Sequence, residues 1–433
     1  MRAVFENLID DFYDRPLPTL VHRERAITVL PGKASVVLGM RRSGKTCLCY
    51  QYMTELMAAG TPKDRLLYLN FEDDRLLPMK IEDMDGILAA YFRRYPENKE
   101  HSCTFFFDEI QAVPGWEHFV RRLLDTENIT VVVTGSSSRM LSREIATCLR
   151  GRSYATEVFP YSFREFLSCH HGEDVELNSP RWGASRRARV QHAAEQYLKL
   201  GGFPEVQYFA DEQRRQVVRN YVDVVLLRDV LERYGETNVT ALRALIHQCL
   251  AAPANRFSVT KFYNSLKSQG IACSKNTLYD NLAQLEDAYL LGRVPVYSRS
   301  AAVRRVNPAK IYASDVALPS AFRQPGVEDS GYLLENMVWS HLRARGLDLS
   351  YYLSAAGLET DFVCRKDDQD EAQLIQVCWS LRDEQTLARE VSSLKSAMNE
   401  LKVTKGLIVT WMEEANPCAE ITAIPFWKWA VEC

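Results

Sequence analysis

The sequence predicts an α/β fold that opens on a parallel sheet. Three observations predict it. Residues 39–46, Gly39-Met40-Arg41-Arg42-Ser43-Gly44-Lys45-Thr46, read G-x-x-x-x-G-K-T between an apolar run and a helical pattern. A second apolar run, 103–107, ends in Asp108-Glu109 about sixty residues further on. Apolar β-branched runs alternate with helical patterns through residue 158, as in a sheet covered by helices.

Composition sets the frame. The chain has 433 residues, 46% hydrophobic and 25% charged, enough for ordinary cores in roughly two to four domains. A net charge of −3 confines any nucleic-acid surface to a local patch. Eleven cysteines, odd in number and with no C-x-x-C pair, argue against a disulfide framework and a zinc site. Residues 1–11 carry acids and no apolar h-region, and no run of about eighteen apolar residues occurs, so neither a signal peptide nor a membrane span is expected. The expected location is cytoplasmic.

In chain order, residues 1–30 read as an entry helix and an arm, with Arg23 and Arg25 on a solvated surface. Residues 34–38 are the first strand. Gly39 and Gly44 let the backbone turn its N–H groups toward an anion, and the next helix points its positive dipole end at the same place. Arg41, Arg42, Ser43 and Cys47 complete a loop around phosphates. Lys45 supplies charge near the β- and γ-phosphates, and the Thr46 hydroxyl is placed to ligate Mg²⁺. The expected ligands are therefore ATP and Mg²⁺. Residues 66–71 form a second strand ending in Glu72-Asp73-Asp74, which belong either to the phosphate rim or to a solvated turn.

The run at 103–107 is a third strand, and Asp108-Glu109 is a Walker B pair. Asp108 would hold the metal and Glu109 would act as general base toward the attacking water. Residues 129–134 form the next strand. Thr134 and Ser136 at its end are candidate γ-phosphate sensors, and equally an N-cap for a helix near Arg139. In Leu149-Arg150-Gly151-Arg152, Arg152 is the candidate catalytic arginine, acting in cis as a sensor or in trans in a homo-oligomer; a surface pair is the bland alternative.

With these residues the chain resembles a group of bacterial and archaeal AAA+-type ATPases whose P-loop reads G-x-R-R-x-G-K-[ST]. The matching pieces are 39–46, Asp108-Glu109-Ile110-Gln111 with Trp116, Thr134-Gly135-Ser136-Ser137 with Met140-Leu141, 149–152, Phe159-Pro160-Tyr161-Ser162-Phe163-Arg164-Glu165-Phe166 and Gly201-Gly202-Phe203-Pro204-Glu205. The resemblance implies ATP binding and hydrolysis in a core of 1–165, followed by a C-terminal domain of unknown function.

Helical spacing over 166–240, interrupted at 201–204, resembles the lid of such a module. Residues 241–325 predict helices from Ser258 and Ser274, then two strands around a basic loop, the pattern of a winged helix. Eleven Lys or Arg stand there against four Asp or Glu. Lys275, Asn276 and Tyr279 would face a groove of double-stranded DNA, with Arg293, Arg299, Arg304 and Arg305 lining the wing. A protein partner is the alternative, because winged helices also mediate protein contacts. In 326–433, Glu335 on a helix, Asp361 on a strand and a second strand at 374–378 resemble a PD-(D/E)XK nuclease core. Gln376 and Cys378 stand where that site needs Glu and Lys, so the metal site reads as degenerate and nuclease activity is not expected.

Overall fold

The computed structural model describes residues 1–136, 149, 151–172, 182–235, 238–323, 330–366 and 371–432. Ser137, Arg139, Met140, Leu141 and Arg150 lie outside them. The chain divides into two compact units, Met1–Val158 with Asp287–Tyr289, and Phe159–Glu286 with Leu290–Cys433.

The first unit is built on five strands: β1 Ala34–Leu38, β2 Leu66–Asn70, β3 Cys103–Asp108, β4 Ile129–Gly135 and β5 Ser153–Glu157. Their order is β2-β3-β4-β1-β5, and every neighbouring pair is parallel. A parallel sheet needs cover on both faces, which is why its strands read as continuous apolar runs. All five residues of β1 are buried. Among its described residues, helices α1 Arg2–Asp14, α2 Lys45–Ala58, α3 Asp85–Arg94 and α4 Trp116–Thr126 join these strands. One core cluster joins Phe12 of α1, Leu48 and Met53 of α2, Val37, Phe106 and Val132. Burying each such side chain stabilises the fold by about 1.5–3 kcal/mol. The order matters for chemistry, because β4 lies between the P-loop strand β1 and the acidic strand β3.

The second unit begins with helices. Phe163–His171 starts on a capping box, in which Ser162 accepts from the Glu165 N–H and Glu165 accepts from the Ser162 N–H. Ala184–Leu200 ends at Gly201, and Asp211–Val224 continues as a π-helical stretch, Val225–Leu231. Val239–Ala251, Val259–Ser268 and Lys275–Asp287 precede an antiparallel pair, β6 Leu291–Val294 and β7 Lys310–Ala313. The expected basic loop between these strands contains a short helix, Ala301–Val306, which Ser300 caps. A six-stranded mixed sheet follows: β8 Asp348–Leu353, β9 Glu359–Arg365, β10 Gln373–Cys378, β11 Gly406–Thr410, β12 Ala415–Cys418 and β13 Ile421–Pro425, in the order β12-β13-β11-β10-β9-β8. Helices Ser330–Ala344 and Glu384–Leu401 flank its strands in sequence. Among the described residues no helix is long and apolar enough to cross a membrane.

Candidate active site

The P-loop leaves β1 at Gly39. A Cβ there would lie 2.1 Å from the Val158 carbonyl oxygen, so no side chain fits. Arg42 and Gly44 both take positive φ, 67° and 101°, which turns successive peptides inward. α2 then starts at Lys45, so Lys45, Thr46 and Cys47 form its first turn, where backbone N–H groups lack intrahelical partners. Burial pushes the Cys47 thiol up, which keeps it neutral. Lys45 is 5% exposed; its Nζ donates to the Gly39 and Met40 carbonyls at 3.2 and 3.3 Å and stands 3.3 Å from Glu109 Oε1. The buried Ser43 Oγ has no hydrogen-bond partner among the described residues.

The acidic strand delivers the other half. Asp108 is 3% exposed. Its Oδ2 accepts from Thr46 Oγ1 and from the Tyr68 hydroxyl, both at 2.7 Å, and its Oδ1 accepts from Thr134 Oγ1. Thr134 in turn accepts the Glu109 N–H at 2.9 Å. The β4 residue between the two working strands therefore holds both acids. Burial alone would raise the Glu109 carboxyl, but the Lys45 ammonium and the Gln111 amide override it and hold it below the usual carboxylate range.

Thus Gly39, Arg41, Arg42, Ser43, Gly44, Lys45, Thr46, Cys47, Asp108, Glu109 and Thr134 gather at the strand C-termini. Arg152 does not. Ala34 pairs with Ser153 and Leu38 with Glu157, so Arg152 precedes β5 at the opposite edge, roughly 13 Å of strand away. It pairs with Asp125, and a sensor role in cis is overturned. Arg23 also departs from expectation. It is 5% exposed, and its Nη1 donates to the Ser43 carbonyl at 2.9 Å, so it braces the P-loop. Of the acids after β2, Glu72 pairs with Arg41 at 3.1 Å, while Asp73 caps the following turn and binds Arg75.

A second polar cluster lies in the second unit. Lys310 is 3% exposed, and its Nζ is 2.8 Å from each of Glu335 Oε1, Glu359 Oε1 and Asp361 Oδ1. Tyr312 donates to Glu335 at 2.6 Å, and the Val377 N–H donates to Asp361 at 2.9 Å. Burial alone would lower the Lys310 ammonium, but Asp361 and its neighbours hold it well above the usual range. Burial and the Asp361 charge push Glu335 up to about 7. Gln376 accepts the Asp361 N–H at 3.3 Å and donates to Glu390 at 2.8 Å.

Sequence reading missed Tyr68, Arg23 and Lys310. A hydroxyl-tipped residue two positions before the end of a strand beside Walker B was a signal for Tyr68. For Lys310 there was none, since its acids lie 25 and 51 residues away.

Residues 31–167 match the AAA domain family, and residues 191–326 and 330–429 match two domains of unknown function, DUF8612 and DUF4143. The chain is 30% identical to the uncharacterized protein MJ1544 of Methanocaldococcus jannaschii, over 99% of this chain and 96% of that one. It belongs to the MJ1544 family. An uncharacterized protein of Haemophilus influenzae is 30% identical over 80% of this chain and 82% of its own. A solved Walker-type ATPase, PABY2304 of Pyrococcus abyssi, is 13% identical, with 74% of this chain and 95% of that chain covered and a TM-score of 0.41. The AAA domain match, together with the site just described, makes this MJ1544-family chain a P-loop ATPase of the AAA type.

Proposed function

We propose that the chain binds Mg²⁺·ATP and hydrolyses it, with DNA as the partner to which hydrolysis is coupled. The observation that carries the reading is the constellation drawn from α2, β3 and β4 in which Thr46, Asp108 and Thr134 are bonded together with Lys45 beside Glu109. The site fits the ligands. Ser43 Oγ is a buried hydroxyl awaiting a partner, and Thr46 and Asp108 are hard oxygen donors of the kind Mg²⁺ takes alongside phosphates and water. Thr46 and Asp108 would hold the ion, which would supply positive charge against the negative charge that develops on the phosphates. Lys45 would exchange its carbonyl partners for phosphate. Glu109 would take a proton from the attacking water as that oxygen bonds to the γ-phosphorus and ADP leaves with the bridging oxygen.

Two variants test this. Lys45→Ala is expected to lose ATP binding. Glu109→Gln is expected to bind ATP and to turn over at least about a hundredfold more slowly. Both are read by fluorescent-nucleotide titration and phosphate release, and normal hydrolysis by Glu109→Gln would refute the assignment of the base.

In the same reading, 166–240 is a lid, 241–325 a winged helix and 326–433 a degenerate nuclease-like domain. Support for the last point is that Lys310 fills the space between the acids and that Lys310, Glu335 and Asp361 are all buried. The chain is proposed to be a cytoplasmic homo-oligomer, in which Arg152 would act only across an interface after leaving Asp125. Mass photometry tests the assembly. A protein partner of the C-terminal half is the second reading, favoured by the exposed Val303 and Val306 beside Arg304 and Arg305.

A further inference from the structure

Gln111 closes the Asp108-Glu109-Ile110-Gln111 motif, two residues beyond the proposed base. Glu109 takes a left-handed backbone conformation, φ 51°, which is rare for a residue with a Cβ and is retained where the surroundings enforce it. The consequence is a tight turn. The Ala112 N–H bonds to the Glu109 carbonyl at 3.1 Å, and the 3₁₀ segment Ile110–Ala112 folds back on the base. Gln111 Nε2 then donates to Glu109 Oε2. The other end of the amide, Oε1, is buried and has no hydrogen-bond partner among the described residues. An amide carbonyl withdrawn from solvent and left without a donor costs about 1–3 kcal/mol. An orphan of this kind beside the proposed base has the capacity to accept a donor that enters with the substrates.

We propose that Gln111 is a positioning residue for hydrolysis. Its Nε2 fixes the orientation of the Glu109 carboxylate, and its Oε1 accepts one hydrogen of the attacking water while Glu109 accepts the other. The inference rests on the reading of the site as an ATP hydrolase. Water has two protons and two lone pairs. With one proton committed to Gln111 and the other to Glu109, a lone pair is left to face the γ-phosphorus. On attack, the Glu109-bound proton transfers to the carboxylate, the new P–O bond forms, and the bond to the β,γ-bridging oxygen breaks, giving ADP and phosphate. Gln111 gains and loses no proton. The bond between the two side chains also keeps Glu109 from following Lys45 when the ammonium leaves for phosphate.

Two substitutions test the role. Gln111→Ala removes both ends of the amide. Gln111→Glu keeps the shape but cannot donate to an ionised Glu109. Both are compared with wild type for ATP affinity, kcat, and affinity for ADP·BeF₃⁻, which mimics bound ATP, and for ADP·AlF₄⁻, which mimics the attacked phosphoryl group with its water. The expected result is ATP and ADP·BeF₃⁻ affinity within about twofold of wild type, with kcat and ADP·AlF₄⁻ affinity each lower by about a hundredfold. A merely structural role would weaken both analogues together, and that result overturns the inference, as does kcat within twofold of wild type. If the wild-type chain binds nucleotide and does not hydrolyse it, the reading of the whole site fails and this role fails with it. Wild-type hydrolysis with unaltered Gln111 variants removes the role alone.

Discussion

At the scale of single residues, the buried Lys310 cluster makes the sharpest statement about stability. Three carboxylates surround one ammonium, with Arg256 reaching Glu359 at 2.8 Å from the side. Removing the central charge leaves the buried Glu335 and Asp361 facing one another out of water, so Lys310→Met should destabilise the second unit by about 3–5 kcal/mol in chemical denaturation. The same crowding sets a pH dependence. Glu335 titrates near 7 in the folded chain against an ordinary 4.5. Between those values the folded chain keeps a proton that the unfolded chain has lost. Its contribution is therefore full below about pH 4.5 and is lost as the pH rises to 7. Asp315, pushed by burial to about 6 despite its backbone donors, acts with the same sign. The thermal midpoint should fall over this window, and less steeply in Glu335→Gln; identical slopes would show that Glu335 does not carry the effect. None of this was legible in the sequence. A lysine opening an apolar strand reads as a strand edge, and only the fold brings helix and sheet acids to it. Arg23 has the same history, since its buried bond to the Ser43 carbonyl depends on how the arm returns over the loop.

At the scale of elements, legibility followed local rules. The strands β1, β3 and β4 were readable because a doubly covered parallel strand must be apolar throughout, and the P-loop fixes where α2 begins. The π-helical stretch at Val225–Leu231 and the short helix at Ala301–Val306 were not, because each keeps a helical or polar pattern that ordinary spacing also fits. The glycine pair at 201–202 lies between these cases. Its helix-breaking role was visible, while the reason for two glycines needed the structure. Gly201 has φ 69°, and a Cβ on it would lie 2.0 Å from Asp315 Oδ1; a Cβ on Gly202 would lie 2.3 Å from the Tyr161 carbonyl oxygen. The Gly202 N–H meanwhile donates to Asp315 Oδ2 at 2.8 Å, so three chain segments meet with no room for a methyl group. Gly202→Ala is expected to cost about 3 kcal/mol. Gly183→Ala is the control, because Gly183 has φ −66° and open space around it. Equal denaturation midpoints for the two variants would remove the packing explanation.

At the scale of the whole molecule, surface charge constrains what the proposed ATP hydrolysis acts on. The basic excess of 241–325 is smaller at the surface than in the sequence. Lys310 is buried among acids, Arg256 pairs with Glu359, Arg243 with Asp223 and Arg293 with Glu286. Arg299, Arg304, Arg305, Lys261, Lys267 and Lys275 remain exposed, with Tyr279 half-exposed on the helix Lys275–Asp287. A patch of about five phosphate contacts gives a steep salt dependence, with log K falling by about 0.9 per contact for each decade of salt. Binding to a duplex of random sequence should therefore be measurable by fluorescence anisotropy at low salt and weaken by about two to three orders of magnitude between about 50 and 200 mM. Arg304→Glu with Arg305→Glu should lower the slope by about two contacts and leave the DNA-free ATPase rate unchanged, because neither residue belongs to the nucleotide unit. Acceleration of the wild-type ATPase by duplex, absent in the double variant, would tie the two units together in function. If the wild-type chain does not bind at low salt, DNA is excluded as the partner of this patch. The exposed Val303 and the 84% exposed Val306 beside the arginines then become the better guide. A half-apolar, half-basic ridge of that kind suits an acidic protein surface, because apolar contact adds nothing to a phosphate backbone and loses its value only slowly with salt.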